Sequence, residues 1–381
     1  MTSDFCGNSI DRDGLGIYIH VPFCASRCAY CAFYGEPPLR QSIDGYLDCL
    51  RREWVLRWDG RPADSIYFGG GTPGLLSCSD FEKIAKFLGQ ALSSQLREWT
   101  VEFSPATVRE EKLRTLKELG VTRISLGVQS FNDHTLAALG RRQRAELAIA
   151  AYDLVRAHDF DVSFDLIFLA PGQRLADWKR DLARAVDLGP DHISTYCLTA
   201  ESGAPLWKNR TAPPATAGEA FHRNARNFLQ ENGYEHYEVS SFCRQGHRCL
   251  HNCNTWAMGE WLGLGPSAAS QFRGRRFRNV PNLKLWAEGI WSSSPDEEDV
   301  AVLSEQLLLQ DRFIFGMRMA DGVPDSLLDR AERLGYGDLR ALFERFAEEG
   351  LIRSVDGRLC PTGRGLLLAD GLALEILCHC A

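Results

Sequence analysis

Cys24, Cys28 and Cys31 fall within eight residues, in the run CASRCAYC that follows the apolar stretch GIYIHVPF. Three thiolates this close can converge on one inorganic centre. A structural zinc ion wants four ligands, commonly two CxxC-type pairs. No partner pair with that spacing lies nearby, so zinc is disfavoured and a distant fourth ligand stays open. Three thiolates on a cubane of four irons leave one iron without a ligand from the chain. An open position separates a reactive centre from a structural one. The triplet therefore points to a [4Fe–4S] cluster with one iron free to bind a small molecule. A redox thiol cluster is the bland alternative.

Other candidates sit where short apolar runs end. Gly69, Gly70 and Gly71, followed by Thr72 and Pro73, close the run SIYF. Glycines let backbone N–H and C=O groups approach a ligand unobstructed, although any tight turn uses them too. Glu102 lies between Val101 and Phe103, and Asp165 interrupts VSFDLIFL. A carboxylate on a buried strand is costly unless paired, so Glu102 reads either as half of an ion pair or as a ligand contact. Gln129 ends RISLGVQ, and Arg141 follows in LGRRQ. Polar groups recurring at the same end of successive strands are expected to rim one site.

The elements that position them alternate. Candidate strands are 16–21, 65–70, 99–103, 123–128, 162–169 and 192–198, each rich in β-branched and aromatic residues. Helical stretches lie between them at about 41–57, 79–93, 109–119, 143–157 and 175–188. In the last four, apolar residues recur at three- and four-residue intervals. Strand alternating with helix predicts parallel strands joined by right-handed crossovers. The expected fold is α/β, a partial (β/α)6 TIM-like barrel, with a doubly wound sheet as the runner-up. Sites on such barrels lie at the C-terminal ends of the strands, where the cysteine triplet sits.

Residues 10–240 are expected to form this core. The run NRTAPPATAGEA (209–220) reads as a linker or exposed loop, followed by a helix near 217–232 and a strand around Tyr237–Ser240. Residues 241–300, rich in Gly and Trp, show little periodicity, and WLGLGPSAAS (261–270) is expected to cross the barrel mouth. Residues 301–381 are expected to form a C-terminal helical, winged-helix-like appendage, from their helix–helix–hairpin order.

The net charge of −7 argues against a non-specific nucleic-acid binder. No apolar run reaches the roughly 18 residues of a membrane span, and the N-terminus lacks the pattern of a secretory signal. Thirteen cysteines, an odd number, rule out a complete disulfide framework. A cytoplasmic location is expected, with peripheral contact at a membrane when meeting an acceptor.

Together the motifs IYIHVPFCxxxCxYCxF, YFGGGTP, RISLGVQSF, LGR, FDLI and HNxNxW…LGLG resemble the HemN/HemW group. This is the branch of the radical S-adenosylmethionine (SAM) superfamily holding the oxygen-independent coproporphyrinogen III oxidases and their relatives. The resemblance runs from about residue 15 to the C-terminus. It implies a [4Fe–4S] cluster on Cys24, Cys28 and Cys31, whose fourth iron chelates SAM, and reductive cleavage of SAM to a 5′-deoxyadenosyl radical. It also implies SAM contacts at Tyr18, Gly70, Gly71, Thr72, Glu102, Gln129, Arg141 and Asp165, with Tyr30, Cys197 and Ala269 as lesser candidates.

True coproporphyrinogen oxidases carry a longer N-terminal extension and a further cysteine two residues after the third ligand. Here that position is Phe33, and 23 residues precede Cys24. The sequence therefore resembles the HemW heme chaperones, with coproporphyrinogen oxidation the second reading. The resemblance implies heme or a related tetrapyrrole as ligand and heme-acceptor proteins, such as respiratory enzymes, as partners. It further implies a reductant protein such as flavodoxin or ferredoxin.

Two features depart from the pattern. The middle motif is HNCNT, with Thr255 where the family has Tyr, and strand three reads EFSP instead of EANP. His251 is a good axial ligand for heme iron, or else it bonds a loop against the barrel mouth. Arg273, Arg275, Arg276 and Arg278 either grip tetrapyrrole propionates or form a solvated edge.

Overall fold

The computed structural model describes residues 14–201, 204–208 and 217–380. Strand and helix alternate through β1 (Leu15–Val21), α1 (Arg40–Arg57), β2 (Ala63–Gly70), α2 (Cys78–Leu88) and β3 (Glu98–Phe103). The series continues with α3 (Glu110–Glu118), β4 (Arg123–Gln129), α4 (Asp133–Ala138), α5 (Ala145–Arg156), β5 (Asp161–Phe168), α6 (Leu175–Leu188) and β6 (His192–Cys197). All six expected strands and five expected helices form. Helix α2 ends at Leu88 rather than at 93, with Gly89 at its C-cap position. Six-residue α4 is too short to show a period.

The six strands pair in sequence order, each parallel to the next. Consecutive crossovers of one hand lay every helix on the same face. A doubly wound sheet needs the order to reverse at a switch point, and here it never does. The sheet curls into a partial barrel.

Residue parity then sorts the side chains. Ile17, Ile66, Val101, Ile124, Phe164 and their alternates point outward into the main core with Leu50, Phe81, Leu113 and Trp178 of the helices. The opposite parity lines the lumen and is largely polar, including Tyr18, Tyr67, Glu102, Ser125, Asp165 and Ser194.

The chain continues through α7 (Ala217–Glu231), β7 (Glu235–Glu238), β8 (Ser241–Cys243), α8 (Leu250–Trp256), β9 (Trp261–Leu264), β10 (Ala269–Phe272), β11 (Arg275–Asn279), α9 (Leu283–Trp291) and β12 (Glu297–Val302). The expected linker lies outside the described residues up to 216, as do residues 10–13 of the expected core.

Within residues 241–300, expected to close the mouth, Leu283 N–H does reach Tyr34 OH of the cysteine loop (2.6 Å), but the start of the segment lies elsewhere. Helix α8 sits at the opposite end, beneath the N-terminal ends of β1–β3. The Glu98 carboxylate, at the first residue of β3, accepts the N–H groups of Leu250 (2.9 Å) and His251 (3.1 Å). The WLGL run is a strand, β9, parallel to β1, and β10–β12 extend that edge antiparallel. Four residues are too few to announce a strand in a Gly-rich run.

Beyond lie α10 (Glu305–Gly316), β13 (Val323–Pro324), α11 (Ser326–Arg333), α12 (Asp338–Glu348), β14 (Ile352–Val355), β15 (Arg358–Pro361), α13 (Gly363–Leu367) and α14 (Ala369–Cys380). Helix, strand, two helices and a hairpin, with β13 pairing β15, is the winged-helix arrangement. It has its own core around Phe313, Phe343 and Phe346. It docks against the barrel floor, with Trp256 stacked on Phe315 and Arg318 over the Trp256 ring. Among the described residues no helix is long and apolar enough to cross a membrane.

Candidate functional site

The cysteines ride on the loop that leaves β1 at the open end of the barrel. Its neck is closed by backbone bonds, Cys24 N–H to Glu36 O at 2.9 Å and Glu36 N–H to Pro22 O at 2.6 Å. Its middle is pinned from both sides: Ala29 N–H donates to Leu139 O (3.2 Å), and Leu206 N–H donates to Ala29 O (2.8 Å). Ala29 and Tyr30 pack on a small apolar cluster of Leu139, Ile167, Ala170 and Leu198. The three thiols are part-buried and free. Burial pushes Cys24 and Cys31 up, and the neighbouring sulfurs repel one another's charge. Thiols so raised are held as thiolates most readily by a metal centre.

The glycine run docks on the exit of β1. Gly71 N–H donates to Val21 O (2.9 Å) and Thr72 N–H to Phe23 O (2.8 Å), so these two donors are used within the fold. A Cβ at Gly71 would meet Phe23 O at 2.6 Å. Gly70 has φ +98, and a Cβ there would strike the His20 ring at 2.5 Å. Thr72 Oγ1 lies 4.0 Å from Cys24 Sγ. The run thus splices the end of β2 to the root of the cysteine loop.

Inside the lumen, Tyr67 OH donates to Glu102 Oε1 at 2.8 Å, and Ser125 Oγ donates to Asp165 Oδ2 at 3.1 Å. Neither carboxylate is in an ion pair among the described residues, which removes the bland reading of Glu102. Burial pushes Glu102 up to about 7, with the charge of Asp165 adding to the effect. Burial likewise raises Asp165 to about 6. Gln129 takes a left-handed φ of 68 where β4 bulges, an unusual conformation for a side chain with a Cβ. Arg141 donates to Gly127 O (3.1 Å) and Tyr30 OH (3.2 Å). Its Nε, like Gln143 Nε2, is buried with no partner among the described residues. An unfilled guanidinium donor beside the thiols and above two carboxylates fits a ligand carrying both a carboxylate and positive charge.

The structure therefore brings Tyr18, Tyr30, Gly70, Gly71, Thr72, Glu102, Gln129, Arg141 and Asp165 to the lumen and its rim with the three cysteines. Cys197 ends β6, exposed. Ala269 opens β10 on the added edge, its carbonyl against Gly263. His251 is the exception. It lies in the floor, with Nδ1 3.1 Å from Ser65 Oγ and its ring 5.4 Å from that of Tyr67. Of the two readings of His251, the one that set it against a loop at the barrel mouth is corrected: it lies at the closed end. Of the four arginines, Arg275, Arg276 and Arg278 pair with Glu297, Asp311 and Glu298, so the edge reading holds for these three.

Sequence reasoning missed His20, whose Nδ1 lies 3.2 Å from Tyr18 OH, and the lumen-facing Tyr67, Ser125 and Ser194. Their two-residue alternation with outward Ile, Leu and Phe was the available signal.

Residues 18–185 match the radical SAM superfamily model. The heme chaperone HemW of Synechocystis sp. is 36% identical over 351 residues, covering 87% of this chain and 84% of the relative. The HemW of Bacillus subtilis is 30% identical and covers 93% and 96%. Among solved structures, coproporphyrinogen III oxidase (HemN) from Escherichia coli, a radical SAM enzyme, superposes with a TM-score of 0.82 at 22% identity, covering 95% of this chain and 90% of that one. With that fold and those likenesses spanning nearly its whole length, the chain belongs to the HemW family of radical SAM proteins.

Proposed function

We propose that the protein is a heme chaperone built on a radical SAM core, which binds a [4Fe–4S] cluster, SAM and heme and passes heme to acceptor proteins. The observation that carries this is the placing of three free, part-buried thiols on one loop at the mouth of a HemW-family barrel. Cys24, Cys28 and Cys31 hold the cluster. A cluster so held supplies an electron and one open iron for the amino-acid end of SAM.

The rest falls to the chain's own side chains. Arg141 offers its unfilled Nε to the ligand's carboxylate. Glu102 and Asp165 offer negative charge to its cationic groups, and Tyr67 and Ser125 hold those carboxylates in place. Tyr18, Tyr30, Gly70, Gly71, Thr72 and Gln129 shape the surrounding rim. Ligation of heme by His251 requires α8 to leave the floor, because Ser65 holds the imidazole and the ring is buried. Heme and an acceptor protein are the partners of this reading, with a small electron-transfer protein as the source of the reducing electron. Free thiols throughout the described residues suit a cytoplasmic setting.

The test is anaerobic reconstitution followed by an offer of both heme and coproporphyrinogen III. About four irons per chain, lost in Cys28→Ala, and stoichiometric heme uptake without protoporphyrinogen are expected. Anaerobic decarboxylation of coproporphyrinogen with SAM and a reductant would instead make the protein an oxidase. Equal heme affinity in wild type and His251→Ala would move the heme ligand elsewhere.

A further inference from the structure

Glu102 and Asp165 stand on strands either side of β4, and Ser125 lies between them. Glu102 is in register with Ser125, and the Ser125 hydroxyl donates to Asp165 at 3.1 Å. One step further along β4 the lumen position is Gly127, which puts no side chain between the carboxylates and the rim. The hydrogen-bond partners of both are neutral: Tyr67 OH and Gly70 N–H for Glu102, Ser125 and Ser194 for Asp165. Arg141, whose charge reaches Asp165, bonds Gly127 O and Tyr30 instead.

Two carboxylates enclosed in this way, with no cation bonded to either, cannot both carry charge cheaply. We propose that Glu102 and Asp165 form one electrostatically coupled pair that holds one proton and exchanges it for the positive charge of SAM, releasing it to solvent as the ligand arrives. The proposal rests on the reading of the lumen as a SAM site. SAM carries a sulfonium, an ammonium and a carboxylate, a net positive charge. Its arrival gives the pair the counter-charge that the protein withholds.

The elevation of both carboxyls by burial, Glu102 to about 7 and Asp165 to about 6, leaves the pair holding close to one proton near pH 6.5. The other groups facing it do not titrate there. Tyr18, Tyr67 and Tyr196 are raised by burial and stay neutral. His20 above and His251 below are lowered by burial to about 4 and are also neutral. Arg141 stays charged, and Arg123 and Glu98 in the floor are paired with each other.

The experiment is calorimetry of SAM binding to the cluster-loaded protein in two buffers of different ionisation enthalpy. Release of about one proton per SAM at pH 6.5 is expected, with affinity rising about tenfold from pH 6 to pH 7. Asp165→Asn shifts that rise to lower pH, because its charge is part of what lifts Glu102. Glu102→Gln flattens it. Should Glu102→Gln fail to bind, the wild-type proton count decides alone. SAM uptake with no proton released and pH-independent affinity overturns the proposal while leaving the SAM site intact. Absence of uptake at every pH removes the site itself, and the proposal with it.

Discussion

Arg123 Nη2 stands 3.3 Å from Glu98 Oε2 at the closed end of the barrel, with side chains only 5% and 4% exposed. The same carboxylate accepts the first N–H groups of α8, which satisfies donors that a helix start leaves bare. Removing it leaves the buried guanidinium with only the Arg248 carbonyl (3.1 Å) and the more distant Asp161 (3.9 Å), and bares two backbone donors. Glu98→Ala is therefore expected to lower stability by about 3–5 kcal/mol, read as the urea midpoint of the apo-protein. A loss below about 1 kcal/mol would mean that α8 is held by other contacts.

The splice between β1 and β2 gives a second prediction. A Cβ on Gly71 would press on the carbonyl oxygens of Phe23 and Val21, at 2.6 and 2.7 Å. Both are backbone atoms at the root of the cysteine loop and have little room to yield. Gly71→Ala is expected to cost about 1–3 kcal/mol and to lower iron content per folded chain after reconstitution. Normal iron loading in the variant would show that the loop does not depend on this contact.

How much of this was legible in the sequence follows from what a local pattern can report. The triplet Cys24, Cys28 and Cys31 and the six strands declare themselves through spacing and β-branched runs, which need no knowledge of distant residues. Glu102 and Asp165 stood out because each breaks an apolar run. Tyr67, Ser125 and Ser194 did not, since each alternates quietly with apolar neighbours and acquires meaning only once the sheet curls. The place of His251 in the floor was not legible for a related reason. The interaction that sends α8 to the floor is made by Glu98, more than 150 residues earlier in the chain, and no local signal carries it. Strand β9 belongs to the same class, its four residues recognisable only by their pairing with Gly16–Ile19.

The lumen carboxylates set a pH dependence of stability. Burial holds Glu102 at about 7 in the folded chain, against roughly 4.3 when unfolded. An acid raised by folding favours the native state while protonated. Its contribution is full below the unfolded value and is lost as pH rises through the folded one. Without ligand, stability is expected to fall by about 1–3 kcal/mol from this group between pH 5 and pH 8. Glu102→Gln, which keeps the shape and cannot ionise, is expected to remove that component and to be the more stable protein at pH 8. Parallel pH profiles of the urea midpoint in the two proteins would contradict the assignment.

The last prediction concerns Tyr67, which meets Glu102 through its hydroxyl and His251 through its ring. The hydroxyl stabilises the charged carboxylate, the form that a cationic ligand needs. Tyr67→Phe keeps the ring packing and deletes only the donor, so stability should move by less than about 1 kcal/mol. Two effects on the ligand are then separable by pH. Loss of the donor lifts the Glu102 carboxyl further, so SAM affinity near pH 6.5 is expected to drop by about five- to tenfold. Above pH 8, where Glu102 is ionised even without the donor, the difference narrows toward the loss of orientation alone. A uniform loss at all pH values, measured by equilibrium dialysis, would mean that Tyr67 acts by packing and not through the Glu102 proton.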